Sequence, residues 1–232
     1  DPMMKNETDY NLFNGFGCSE LNEYDDNNIF FKLCKHVIND DKIYEYFLDW
    51  LSFIIQTPWK KTNVAIIFYS ETKGVGKDSI ICLLKKLFSK YYAQLESIED
   101  IAKNFNKHLC NKLLIYGEET SSRAKQNNDK LKALITKTSI NMESKGHDTI
   151  ILDDFANYIF STNNESCFKV EEGDRRLLFI NCIEKKLINS NINPKSYYKY
   201  IEKQENIDNI YSFLKNRKIT NNIGVEPPPM TK

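Results

Sequence analysis

The side chains best placed for chemistry begin at Lys77, near the end of the stretch Phe68-Tyr69-Ser70-Glu71-Thr72-Lys73-Gly74-Val75-Gly76-Lys77-Asp78-Ser79. An apolar run from Val64 to Tyr69 precedes the loop, and Ile80, Ile81, Leu83, Leu84, Leu87 and Phe88 follow at helical spacing. Strand, glycine-bearing loop and helix are the context of a phosphate-binding loop. Gly74 and Gly76 let backbone N–H groups close on phosphate oxygens with no Cβ in the way, and the helix N-terminus adds partial positive charge. In such a loop Lys77 reaches the β- and γ-phosphates, while Thr72, Lys73, Gly74, Val75, Gly76, Asp78 and Ser79 complete the nucleotide-binding stretch. Two residues depart from the full pattern. Glu71 stands at the first glycine position, and Asp78 stands where a Ser or Thr ligates magnesium, leaving Ser79 or water to complete the metal shell. The plainer reading is a strand-to-helix turn with a solvated lysine.

Carboxylates come next. Leu113-Leu114-Ile115-Tyr116-Gly117-Glu118-Glu119 is an apolar strand tipped by acids. Lying beside the loop's own strand, such a tip would hold magnesium with one carboxylate and activate the attacking water with the other. Glu118 takes the metal role and Glu119 the base, or the two exchange. Phe155 to Asn164 is another buried strand, ending in Thr162-Asn163-Asn164. A carboxamide at that tip can hydrogen-bond both γ-phosphate and lytic water, which makes Asn163 the sensor candidate and Asn164 its near alternative. An Asn-rich turn is the simpler account.

Arg175 and Arg176 open a last strand. Either could be an arginine finger for a neighbouring subunit's γ-phosphate, or an exposed ion pair with Glu171 or Glu172. A finger in trans requires a head-to-tail interface, which generates a ring when the rotation closes. Between acids and sensor, Ser139 to Leu152 reads as a hairpin with the basic tip Lys145-Gly146-His147. Lys145 and His147 could touch single-strand phosphates, and a ring would multiply that contact. An ordinary solvated turn is the alternative.

These residues need a scaffold, and 232 residues at 41% apolar can bury a real core. Acidic and basic residues balance at 32 each, which excludes a global field that draws in nucleic acid. The six cysteines include no C-x-x-C pair and sit mostly in apolar segments, as reduced thiols in a cytosol-like compartment do. Apolar runs fall short of the ~20 residues of a membrane span, and no signal-peptide pattern opens the chain. The start at Asp1 and the Pro-rich end read as a piece of something longer.

Residues 1 to about 25 read as irregular. Two helices follow between Asn28 and Ile55, split near Asn39-Asp40-Asp41, with Pro58 ending the second. Strand patterns cover Asn63–Tyr69, Tyr91–Leu95, Lys112–Tyr116, Asn157–Thr162 and Arg176–Cys182, and helical ones Lys77–Ser89, Ile98–Cys110 and Asn128–Lys137. The alternation predicts an α/β fold with a central, mostly parallel five-stranded sheet and ligands at the strands' carboxyl ends. The expected division is a helical lead-in over 1–60, a nucleotide-binding core over 61–185, and a helical segment with a Pro-rich linker over 186–232.

The order of these motifs resembles the superfamily 3 helicases, AAA+-type ATPases of viral, phage and plasmid replication proteins. The likeness runs from about Tyr46 to Pro229 and is strongest to the helicase half of primase–helicase and primase–polymerase proteins. It implies Lys77 as the Walker A lysine, Glu118 and Glu119 as Walker B acids, Asn163 as sensor, and Arg175 or Arg176 as finger. Lys145 and His147 fall on the DNA-binding hairpin. ATP and Mg2+ are the implied ligands, with Asp78, Ser79 and Glu118 around the metal. Single-stranded DNA, further copies in a hexameric ring, and a primase or polymerase domain of the same polypeptide are the implied partners. The place of action is the host cytosol or a viral replication site, with neither membrane insertion nor secretion. Two other functions fit some of the residues. A ring that binds nucleotide and organises a replication complex with little hydrolysis suits Asp78, whereas a monomeric small-molecule kinase leaves Asn163 and the Arg pair unexplained.

Overall fold

In β1 (Ala65–Tyr69), Ala65 and Ile67 belong to one apolar cluster while Ile66 and Phe68 belong to another, and all four are buried. A strand apolar on both faces suits the interior of a parallel sheet covered on each side. That sheet is present in the structure, a computed structural model that describes residues 12–95, 109–118, 131–142, 149–168 and 173–229. Its other members are β2 (Tyr92–Leu95), β3 (Leu114–Glu118), β6 (Asn157–Thr162) and β7 (Leu177–Asn181), all parallel, in the order β2-β3-β6-β1-β7. The protein is thus α/β with a five-stranded parallel sheet.

One expectation needs correcting. The acid-tipped strand β3 does not lie beside β1; β6 sits between them, with Ile159 opposite Ile66 on one side and Tyr116 on the other. Apolar runs of this kind fit any interior slot, so their composition carries no order, which the crossover connections decide.

The two N-terminal helices form as their caps direct. α1 (Ile29–Ile38) starts at Asn28, whose side chain accepts from the amides of Phe30 and Phe31, and stops at left-handed Asn39. α2 (Asp41–Gln56) starts at Asp40, which accepts from Ile43 N. Together with α3 (Lys77–Phe88), α5 (Pro194–Ile201) and α6 (Gln204–Asn216) they cover one sheet face, burying Phe30, Leu33, Trp50, Leu84, Tyr197 and Leu214 against Ile66, Phe68, Leu114 and Ile159. On the opposite face Leu131 and Ile135, from a helical segment α4 at 131–136, meet Ile67, Ile115 and Phe160.

Side chains lock the N-terminal helices to the rest. Trp50 donates from Nε1 to Val64 O at 2.9 Å. The fully buried Asp49 carboxylate accepts from Arg217 Nε at 2.8 Å, from the amides of Thr220 and Asn221 at 2.9 Å, and from both their side chains.

The hairpin expected before the sensor strand has its two strands. β4 (Ser139–Met142) pairs antiparallel with β5 (Ile150–Asp153), Ser139 opposite Asp153 and Met142 opposite Ile150. Its tip, with Lys145 and His147, lies outside the described residues, as do Glu119, Glu171, Glu172 and the Ile98–Cys110 helix through residue 108. Among the described residues no helix is long and apolar enough to cross a membrane.

Candidate functional site

The loop between β1 and α3 leaves the sheet at Ser70 and re-enters regular structure at Gly76, the residue before α3. Gly76 has φ 116, a left-handed value, and a Cβ there would stand 3.0 Å from Leu33 Cδ1 and Val37 Cγ2. Only glycine combines that dihedral with the close backing of α1. Further contacts fix the loop from the far side. Leu187 N donates to Gly74 O at 2.9 Å, and the Glu184 carboxylate accepts from the amides of Glu71 and Thr72 at 3.0 and 2.7 Å. Those bonds, with the Thr72 hydroxyl foremost, hold the Glu184 carboxyl below the usual carboxylate range.

Lys77 is the first residue of α3 and is only 7% exposed. Its Nζ donates to Ser70 Oγ at 2.8 Å and to Thr162 O at 2.9 Å, bridging the tips of β1 and β6. Burial pushes its pKa down, partly offset by the neighbouring Cys182, Asp78, Glu184 and Glu118. From β6, Asn163 Nδ2 donates to Ser70 O at 2.5 Å. Glu118, at the tip of β3, stands in register with Ser161.

These groups share one cleft of about 670 Å³ at the carboxyl ends of β1, β3 and β6. Lys73, Gly74, Val75, Gly76, Lys77, Asp78, Ser79, Glu118, Asn163 and Asn164 line it. A crevice at the carboxyl ends of parallel strands is the ordinary ligand position in open α/β sheets. Among the described residues no group of His, Cys, Asp and Glu side chains could hold a metal ion unaided. Asp78, Ser79 and Glu118 nonetheless suit magnesium, which keeps several waters and substrate phosphate oxygens and takes only one or two carboxylates.

Arg175 and Arg176 are not part of that lining and sit before β7, at the amino end of the sheet. Arg176 Nε lies 3.2 Å from Asp174 Oδ1, and Lys132 Nζ lies 2.6 Å from Asp174 Oδ2, while Arg175 is exposed.

The cleft's other wall carries no motif in the sequence. Lys186, Leu187, Ile188, Pro194 and Tyr198 complete it, from the connection after β7 and from α5. Tyr198 OH is 3.1 Å from Ser79 Oγ, and Tyr197 OH donates to Ser79 O at 2.7 Å. In sequence these residues look like one amphipathic tail, and the neighbouring tyrosines differ only in which way each ring turns.

Comparison with known proteins places the chain among relatives by sequence and by fold. Residues 68–176 match a family described as a family of unknown function, DUF5906. A curated relative, a DNA primase-polymerase of Nitratiruptor phage NrS-1, is 28% identical over 180 residues, covering 76% of this chain and 24% of the relative. An apo structure of the NrS-1 C-terminal region in its A form superposes with a TM-score of 0.78 at 26% identity, over 90% of this chain and 50% of that one. A second apo structure of the same region gives 0.76 at 25%, over 88% and 49%. The chain is therefore homologous to the C-terminal region of that phage protein and spans about a quarter of the curated relative's length.

Proposed function

We propose, from that kinship and from the cleft, that this chain is the ATP-hydrolysing part of a ring-forming replication helicase of the superfamily 3, AAA+ kind. It acts on single-stranded DNA and is joined in its full-length protein to primase or polymerase machinery. The observation that carries the reading is the convergence of Lys77, Glu118 and Asn163 with a backbone-lined glycine loop on one cleft at the strands' carboxyl ends. The NrS-1 relative's name, DNA primase-polymerase, sets replication as the context.

In this mechanism the loop amides and the N-terminus of α3 hold the triphosphate. The Lys77 ammonium leaves Ser70 Oγ and Thr162 O for the β- and γ-oxygens. Asn163 exchanges Ser70 O for the γ-phosphate and the attacking water. Glu119, or Glu118 in its stead, takes that water's proton. Magnesium, when bound, neutralises phosphate charge, and Asp78, Ser79 and Glu118 are the residues at hand to hold it. Arg175 or Arg176 completes the site of a neighbouring copy, and Lys145 and His147 grip DNA phosphates in the ring's channel.

A second reading keeps the ring and the bound nucleotide but little turnover: an assembly module of a replication complex. Asp78, exposed at the cleft where a hydroxyl would serve magnesium, favours it, because its charge repels the triphosphate. The deciding experiment measures ATP turnover with and without single-stranded DNA, beside Lys77→Ala, with the solution mass recorded alongside. DNA-stimulated turnover by a ring, lost in Lys77→Ala, supports the motor. A ring that binds ATP without turning it over refutes the motor in favour of the assembly module.

A further inference from the structure

At the rim of the cleft, opposite the phosphate loop, two large apolar side chains stand in water. Ile188 is 76% exposed and Tyr198 41% exposed, and both line the cleft together with Pro194. Isolated surface apolar residues are ordinary, whereas a group of them beside a polar cradle marks a ligand surface. The group is also held rigid. Leu187 is buried and bonded to Gly74 O, which turns the adjacent Ile188 outward at a fixed distance from the loop. Tyr197 is fully buried and bonded to Ser79 O, which sets α5 against the start of α3 and leaves the next ring, Tyr198, facing the cleft. The two rings meet edge to face, 5.7 Å between centroids.

We infer that Tyr198, Ile188 and Pro194 form a nucleobase subsite, so that the cleft takes nucleoside triphosphates in preference to bare polyphosphate. The inference rests on the phosphate-binding reading given above. An aromatic face offers a planar base a stacking surface, and branched apolar groups close the other side without demanding a hydrogen-bond pattern. The Tyr198 hydroxyl lies 3.1 Å from Ser79 Oγ, a contact that Tyr198→Phe removes while keeping the ring, so the two Tyr198 variants separate it from stacking.

The test titrates this chain with ATP and with inorganic tripolyphosphate, in the wild type, Tyr198→Ala, Tyr198→Phe and Lys77→Met. Tyr198→Ala is expected to weaken ATP at least about fivefold, the low end of what stacking one base contributes, and to leave tripolyphosphate affinity unchanged. Tyr198→Phe, which keeps the ring, is expected to retain ATP affinity, and Lys77→Met to lose both ligands. Wild-type affinity for ATP in Tyr198→Ala overturns the subsite, as does an equal loss of both ligands there. A wild type that binds tripolyphosphate as tightly as ATP removes the base subsite and leaves the phosphate reading standing. A wild type that binds neither removes the phosphate reading, and the subsite with it.

Discussion

Lys77→Met asks whether the buried lysine serves a ligand or the fold. At neutral pH the ammonium is charged in the unfolded chain, while burial lowers its pKa in the folded one. A group whose pKa falls on folding destabilises the folded state at every pH below its folded value, and the penalty fades only as pH climbs toward the unfolded value of ~10.4. Against that stand two charge-assisted hydrogen bonds, to Ser70 Oγ and Thr162 O at 2.8 and 2.9 Å, each contributing about 1.5–3 kcal/mol. Desolvating a buried ion costs several kcal/mol, a comparable amount. Neither partner is orphaned by the change. Ser70 Oγ still donates to Thr72 O at 2.8 Å, and Thr162 O still accepts from Ser70 N at 3.3 Å. Methionine keeps most of the stem's volume, so the expected stability change is within about 1 kcal/mol of zero, or about 2–4 °C in Tm for a chain of this size. The same substitution removes two contacts to a bound polyphosphate, at least about 3 kcal/mol, or about hundredfold in affinity. Thermal or urea unfolding, paired with tripolyphosphate titration, reads both effects. A variant destabilised by more than about 3 kcal/mol, with affinity for tripolyphosphate intact, would refute the reasoning and make Lys77 a structural cross-link between β1 and β6.

Two further predictions concern Asp49 and the arginine pair. Burial pushes the Asp49 carboxyl up, but the Asn221 and Thr220 amides, with the Asn221 and Arg217 side chains, outweigh it and hold the group below its usual value. Its contribution is therefore complete above the unfolded value of ~3.9 and lost as pH falls through the folded one; Asp49→Asn should cost about 2–4 kcal/mol at pH ~7 and flatten the acid limb of stability, as urea midpoints across that range would reveal. In the ring reading, exposed Arg175 is free to reach a neighbour while Asp174 holds Arg176, so Arg175→Ala should lower turnover by about 10³ with tripolyphosphate binding intact. Arg176→Ala should instead mainly lower Tm, and the opposite ranking in paired turnover and melting assays would sink the assignment.

Local pattern was legible wherever one side chain's environment repeats along an element. The strand Asn157–Thr162 has the boundaries its apolar run implies, and the break between α1 and α2 falls at Asn39, where a left-handed residue ends one helix and Asp40 caps the next. The loop residues from Lys73 to Ser79 share the cleft with Glu118 and Asn163 because each sits at a strand tip or a helix start, positions a pattern can locate. Strand order was not legible, since Leu114–Tyr116 and Tyr158–Phe160 are equally apolar and either could neighbour β1. Nor was the wall from Lys186 to Tyr198. Glu184, Leu187 and Tyr198 reach the loop from more than a hundred residues away, and no local period records a contact of that range.

The glycine loop between β1 and α3 does not own its shape. Leu33 and Val37 stand behind Gly76, Leu187 ties down Gly74, and Tyr197 fastens Ser79. A recombinant or natural exchange that carried only the motif, from Val64 to Phe88, would deliver the right letters to a neighbour without the struts that bend them. The portable unit runs from before Leu33 to beyond Tyr197. Swapping shorter cassettes between relatives should therefore fail through misfolding of the loop even where every motif residue is identical.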